Sequence, residues 1–131
     1  MSVYVDTSAF LAVLDADDTN HERAKAAWKE LLVNRIPLIC SSYVLVETWA
    51  LVQSRLGMQA LRSFYEDVFP LLKVEWVDQV FHQRGAAALI TANRRNLSLV
   101  DCVSFEIMRH LGMRRVFAFD THFREQGFEC L

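Results

Sequence analysis

Short runs of apolar residues alternate along this chain with longer segments in which apolar residues recur at helical spacing. The runs typical of strands cover residues 2–6, 38–41, 73–77, 114–119 and 128–131. The segments typical of helices cover residues 8–14, 21–34, 43–56, 58–71, 78–95 and 99–112. Strands that are mostly apolar and are separated by helices are typical of a parallel sheet covered on both faces. We therefore predict an α/β fold.

The length of 131 residues fits one domain over residues 1–131. With 53% hydrophobic and 23% charged residues, the chain is expected to bury a core. Glu47 interrupts the most apolar segment, and the N-terminus lacks a basic stretch followed by an apolar one, so we expect neither a membrane span nor a signal peptide. Cys40, Cys102 and Cys130 lack CxxC spacing, which indicates reduced thiols. We expect a cytoplasmic protein that does not bind membranes.

The formal net charge of −2 argues against a strongly basic nucleic-acid-binding protein. The basic residues are unevenly distributed, however, because all seven that follow residue 78 are arginines. A planar guanidinium group suits phosphate well. A solvated helix face is the other explanation for such residues, so the charge pattern alone leaves a phosphate-binding role open.

Aspartates end two of the predicted strands. The segment "VYVD" ends on Asp6, and "VFAFD" ends on Asp120. In open parallel sheets, ligands bind beyond the carboxyl ends of the strands, so both aspartates lie on the edge where chemistry is expected. An aspartate at this position can instead cap the following helix, and Ser8 or Thr121 could do so as well. Capping and ligand binding therefore both stay open for each aspartate.

Two further acids lie in predicted helices. The neighbours of Glu47 at helical spacing are largely apolar, and no Lys or Arg lies three or four residues away to pair with it. We therefore predict that Glu47 faces inward and needs a metal ion, a distant arginine or a raised pKa. Asp101 follows Ser98 by three residues, as in a capping box. Its apolar neighbours Leu97 and Phe105 also turn it partly inward.

These four acids would repel one another if they converged without a cation. Two carboxylates about 4 Å apart repel by roughly 4 kcal/mol at an effective dielectric constant near 20. A cluster of this kind needs a metal ion or protonation. Sites made only of carboxylates suit Mg²⁺ or Mn²⁺, and such ions can activate water and stabilise a leaving oxygen in phosphodiester cleavage.

Four segments carry a resemblance to a known family: "YVDTSAFLAVLDADDTNHERA", "SSYVLVETWAL", "LSLVDCVSFEIMRHLG" and "VFAFDTHFREQGF". Together they resemble the PIN-domain ribonucleases, and most closely the VapC-type toxins of bacterial and archaeal toxin–antitoxin pairs. The resemblance extends over nearly the whole chain. It implies a single PIN-like domain with a parallel sheet in the order 3-2-1-4-5 and helices on both faces. Strands 1 and 4 would then lie side by side.

The resemblance also implies a site and an activity. Asp6, Glu47, Asp101 and Asp120 match the acids that bind Mg²⁺ or Mn²⁺ and activate water for RNA hydrolysis in the family. Asp6, Asp101 and Asp120 would be the main ligands, with Glu47 as a further ligand or a base that positions water. Ser8 matches a hydroxyl that would donate to an acid or to water at the metal.

Partners follow from the same resemblance, which implies a homodimer and a cognate antitoxin whose tail blocks the groove. Because an acidic groove must still attract phosphate, we predict that Arg94, Arg95 and Arg124 contact the RNA backbone. Ala118 departs from the family pattern, in which many members have Thr or Ser two residues before the last aspartate. We expect His122 to be a surface residue, because the acids already suffice for a hard metal ion.

Three other functions compete with this interpretation. A phosphatase of the haloacid dehalogenase type needs a second acid two residues after Asp6, where Ser8 stands. A non-catalytic binding module would not need an inward-facing Glu47. A housekeeping PIN-domain nuclease outside any toxin pair is the alternative within the family, and a short upstream antitoxin gene would argue against it.

Overall fold

A computed structural model describes all residues from 1 to 131. The strands are β1 (Val3–Val5), β2 (Leu38–Ser41), β3 (Leu72–Glu75), β4 (Arg115–Phe117) and β5 (Glu129–Cys130). The α-helices are α1 (Thr7–Leu14), α2 (His21–Val33), α3 (Ser42–Leu56), α4 (Met58–Ser63), α5 (Gln79–Ala92), α6 (Leu99–His110) and α7 (Thr121–Glu125). None of the helices has both the length and the apolar character needed to cross a membrane.

The strands form one parallel sheet in the order β3-β2-β1-β4-β5. On one side of β1, Tyr4 pairs with Ile39 of β2, and on the other side Val5 pairs with Phe117 of β4. The predicted α/β fold and strand order are confirmed. Because β1 and β4 are parallel neighbours, the residues that follow them emerge at the same edge of the sheet.

The hydrophobic core lies on both faces of β1. Val3, Tyr4 and Val5 are completely buried. Since alternate side chains of a strand point to opposite faces, helices must cover both faces of the sheet. Phe10 of α1 and Met108 of α6 belong to this core. Core packing therefore fixes α1, which follows Asp6, and α6, which carries Asp101.

Gly85 lets α5 and α6 approach each other closely. A Cβ atom at this position would lie 2.4 Å from Cγ2 of Val103, which no relaxed structure tolerates. This contact fixes the position of α6, the helix that carries Asp101.

The predicted continuous helix over residues 58–71 is wrong in its detail. The α-helix ends at Ser63, a π-helical turn covers Phe64–Val68, and a 3₁₀ turn covers Phe69–Leu71. Pro70 has no N–H for an α-helical hydrogen bond, and the N–H of Phe69 donates to the carbonyl of Phe64, five residues earlier. The proline therefore accounts for the loss of regular α-helix just before β3.

Candidate active site

Asp6 directly follows β1 and caps α1. Its Oδ2 accepts hydrogen bonds from the Ser8 backbone N–H (3.1 Å) and the Ser8 hydroxyl (2.7 Å). The Ser8 hydroxyl in turn accepts from the N–H of Phe119 (3.0 Å), and the Asp6 N–H donates to the carbonyl of Phe117 (3.0 Å). These bonds join the ends of β1 and β4. Asp120 follows Phe119, so the structure brings Asp6 and Asp120 to the same edge of the sheet.

Asp101 and Asp120 also cap helices. Asp101 forms a capping box with Ser98 at the start of α6: its Oδ2 accepts from the Ser98 N–H (3.2 Å), and the Ser98 hydroxyl accepts from the Asp101 N–H (3.0 Å). The Oδ1 of Asp120 accepts from the His122 N–H (2.9 Å) at the start of α7. Capping is thus present at all three aspartates, but it uses only one oxygen of each carboxylate.

The second oxygens of these carboxylates have no protein partner. Oδ1 of Asp6 and Oδ1 of Asp101 accept no hydrogen bond from the chain. The structure contains no fully buried side-chain oxygen without a partner, so these unpaired oxygens reach solvent. Each aspartate therefore has one oxygen fixed by a helix start and one oxygen available to a ligand.

The acids lie close enough to perturb one another. Burial raises the pKa of Asp6 to about 7; the Ser8 hydrogen bonds oppose this rise, and the charges of Asp101 and Glu47 add to it. Burial also raises the pKa of Asp101, with hydrogen bonds from Ser98 opposing and the charge of Asp120 adding to the rise. Asp6 is 4% exposed and Asp101 7%, and neither forms an ion pair with a Lys or Arg. The only opposing charge near them is that of His122, which lowers the pKa of Asp101.

Glu47 is half-buried, so it faces inward less completely than predicted. The buried stripe of α3 runs through Val44, Thr48 and Val52, and Glu47 lies at the edge of that stripe. It forms no ion pair, as its helical neighbours had indicated. Its charge still contributes to the raised pKa of Asp6, so the two carboxylates lie near each other.

His122 is buried, at 7% exposure, and the expectation that it is a surface residue is wrong. Its Nε2 lies 3.0 Å from the carbonyl oxygen of Asn96, which can only accept, so Nε2 carries the proton. Its Nδ1 lies 3.4 Å from Nη2 of Arg94. A nitrogen of His122 and oxygens of Asp101 and Asp120 all lie within 4.8 Å of one another. Helical spacing does not reveal this burial, because α7 is only five residues long.

The family model for the PIN domain matches residues 3–129. The chain belongs to the PIN-domain family. VapC20 of Mycobacterium tuberculosis, named a 23S rRNA-specific endonuclease, is 32% identical over 128 residues, which are 96% of this chain and 95% of that protein. The crystal structure of VapC20, described as a toxin that cleaves the sarcin–ricin loop, matches with a TM-score of 0.83 over 97% of this chain and 96% of that one.

Two further crystal structures share the fold of this PIN domain at lower identity. FitAcB of Neisseria gonorrhoeae matches with a TM-score of 0.71 at 14% identity, over 98% of this chain and 96% of that one. VapBC2 of Rickettsia felis, bound to a DNA fragment from its promoter, matches with a TM-score of 0.69 at 11% identity, over 100% of this chain and 98% of that one.

Ala118, where many relatives carry a hydroxyl residue, is buried in this PIN domain at 4% exposure. It has no side-chain donor for Asp120. The carboxylate of Asp120 is oriented by the N–H of His122, and the nearby N–H of Phe119 is taken by the Ser8 hydroxyl. These two hydrogen bonds thus position Phe119 and Asp120 without a hydroxyl at residue 118.

The three arginines predicted to contact RNA have different surroundings in this PIN domain. Arg94 forms an ion pair with Glu125, with Nη1 2.9 Å from Oε2. Arg94 and Arg95 border a hollow of about 400 Å³ that none of the four acids lines. Arg124 lines a smaller hollow beside Asp120. Contact with RNA stays a prediction for all three.

Proposed function

We propose that this PIN domain is an endoribonuclease that depends on Mg²⁺ or Mn²⁺, with Asp6, Glu47, Asp101 and Asp120 as its site. The observation that carries the proposal is the burial of Asp6 and Asp101 beside further acids and without a Lys or Arg partner. Such charges are stable together only with a cation or with protons. The identity of 32% to an endonuclease that acts on RNA supports the activity.

The donor set fits a hard divalent cation. It consists of carboxylate oxygens, which Mg²⁺ and Mn²⁺ prefer. When bound, either ion would supply Lewis-acid activation of water and neutralise negative charge at the scissile phosphate. Asp6, Asp101 and Asp120 would hold it through the oxygens that capping leaves free. His122 fits less well as a ligand, because Nε2 already donates to Asn96.

The protein itself holds the carboxylates of the three aspartates in position. Each aspartate begins a helix, so a backbone N–H fixes one of its oxygens before any substrate arrives. Fixed groups lose little conformational entropy during the reaction. The Ser8 hydroxyl donates to Asp6 and links it to the residue before Asp120. Glu47, half-buried and without an ion pair, would accept a proton from an attacking water, orient that water or serve as a further ligand.

We further propose that this nuclease is the toxin of a type II toxin–antitoxin pair and acts as a homodimer that an antitoxin inhibits. The proposal is based on the similarity to VapC20, which is described as a toxin. Ribosomal RNA is the first substrate to test, because VapC20 is named for cleaving 23S rRNA. A cytoplasmic location, and a single PIN domain over residues 1–131, belong to the same proposal. Co-expression with a protein encoded directly upstream distinguishes the two functions. That protein would inhibit a toxin, whereas a housekeeping nuclease has no inhibitor of this kind.

The decisive activity experiment compares the wild type with Asp6→Asn on 23S rRNA in Mg²⁺, Mn²⁺ or EDTA. The amide oxygen of Asn can still accept from Ser8, so the change removes charge and spares the cap. We expect cleavage by the wild type, a loss of about 100-fold or more in the variant, and no cleavage in EDTA.

Asp78→Asn is the matched control. Asp78 also caps a helix through a side-chain bond, here from the N–H of Phe81, but it is exposed and lies outside the acid cluster. Its cleavage rate should equal that of the wild type. Equal cleavage by wild type and Asp6→Asn, or cleavage that persists in EDTA, would contradict the proposed function.

A further inference from the structure

A groove runs across the surface at Asp120. It consists of two adjoining hollows of about 120 Å³ and about 350 Å³. Asn20, Phe119 and Asp120 line both hollows, so the candidate acid lies where they meet. Of the four candidate acids, only Asp120 lines this groove; Asp18 also lines the larger hollow.

Each of the two hollows is lined by at least one arginine. Arg23 and Arg124 line the smaller hollow, and Arg55, at the C-terminal end of α3, lines the larger one. All three are exposed, and none forms an ion pair with an acidic side chain. Their donors are free for an anion, in contrast to those of Arg94, which Glu125 holds at 2.9 Å.

Arg23 is also oriented in advance. Its guanidinium carbon lies 5.5 Å from the ring centroid of Phe119, within the range of a cation–π contact. Phe119 belongs to the segment that Ser8 fixes between β4 and Asp120. The contact therefore holds a planar, charged group at a set distance from the acid cluster, which reduces the entropy lost when it binds a phosphate.

We propose that Arg23, Arg124 and Arg55 form a phosphate-binding track for the substrate strand. Arg23 and Arg124 would bind backbone phosphates on one side of the cleaved bond, and Arg55 would bind one on the other side. Guanidinium groups bind phosphate oxygens through two parallel hydrogen bonds. The three cations offset the repulsion between the acid cluster and an approaching RNA strand. This inference rests on the proposed function, from which it takes RNA as the ligand.

The test measures binding apart from cleavage. Fluorescence anisotropy follows a labelled RNA single strand of about ten nucleotides, titrated with protein carrying Asp6→Asn, at several KCl concentrations. Adding Arg23→Ala, Arg124→Ala or Arg55→Ala should weaken binding by up to about fivefold each. Each should also lower the steepness of the plot of log affinity against log salt by about 0.7, the value expected per released phosphate contact on a single strand.

Arg62→Ala and Arg84→Ala are the controls, since both arginines are exposed, without ion pairs and outside the groove. They should leave the salt dependence unchanged. Groove variants that match these controls, or a protein that does not bind RNA at all, would overturn the track. RNA binding that depends on the groove arginines, in a protein whose wild type does not cleave, would uphold the track and contradict the nuclease.

Discussion

Asp6 has two roles that depend on different parts of the same carboxylate. Oδ2 accepts both hydrogen bonds from Ser8 and so begins α1, while Oδ1 has no partner in the chain. The charge is placed where burial, Asp101 and Glu47 all oppose it. An aspartate that only caps a helix avoids this desolvation cost on the surface, where Asp78 lies. Burial of the Asp6 charge lowers the free energy of unfolding, and a bound cation would offset this loss.

This cost predicts a pH dependence of stability in the metal-free protein. The pKa of Asp6 is about 7 in the fold and about 4 in an unfolded chain. Between these values the native state binds more protons than the unfolded state, so the free energy of unfolding falls as the pH rises. The loss is on the order of 4 kcal/mol, complete above the folded pKa and absent below the unfolded one.

Urea denaturation in EDTA, at about pH 5 and about pH 8, measures this effect as the difference between wild type and Asp6→Asn. Only the wild type titrates at residue 6, so the variant should gain stability relative to it at the higher pH. Saturating Mn²⁺ should remove most of that gain, because a bound cation favours the charged carboxylate. An identical pH dependence in both proteins would contradict the account of Asp6.

At the scale of elements, His122 joins two segments that each lead to an acid. Its Nε2–H donates to Asn96, in the loop that precedes α6 and Asp101, while His122 itself lies in α7, which begins after Asp120. Arg94 and Glu125 surround its Nδ1. The imidazole therefore connects the loop to α7.

Replacing His122 should show which of its contacts matters. We expect His122→Ala to lower the free energy of unfolding by about 1 to 3 kcal/mol, since it leaves the Asn96 carbonyl without its donor. His122→Gln should retain more stability than His122→Asn, because only the longer side chain brings an amide nitrogen near the position of Nε2. Urea denaturation of the three variants measures this order. Equal stability of the Gln and Asn variants would argue against the bond to Asn96.

The elements themselves were predictable from the sequence where local pattern and packing agree. β1 is buried throughout and is followed directly by Asp6, and α6 begins with the Ser98 capping box that the sequence indicated. The segment before β3 was not predictable in detail, because helical spacing continues across it and only Pro70 marks the change to π and 3₁₀ turns. The degree of burial of Glu47 also depends on how α3 rotates against the core, which spacing along one helix does not determine.

At the scale of the whole molecule, strand order assembles the site. Asp6, Glu47, Asp101 and Asp120 are far apart along the chain. The parallel pairing of β1 with β4 brings Asp6 and Asp120 to one edge of the sheet, and α3, which carries Glu47, contacts α6, which carries Asp101. The resemblance to a family supplied this order in advance, whereas composition and spacing alone supplied only the fold class. The burial of His122 and the arginines around Asp120 became visible only with the tertiary structure, since no local pattern links Arg23 or Arg55 to that groove.

If these acids form one metal site, Mn²⁺ binding depends on each of them and can be measured directly. Titration of Mn²⁺ followed by electron paramagnetic resonance should show binding to the wild type, with affinity weakened about tenfold or more in Asp101→Asn and in Asp120→Asn. Asp78→Asn should bind as the wild type does, because its cap lies outside the cluster. Wild-type affinity in Asp101→Asn and Asp120→Asn would contradict the claim, whatever the activity of the protein on RNA.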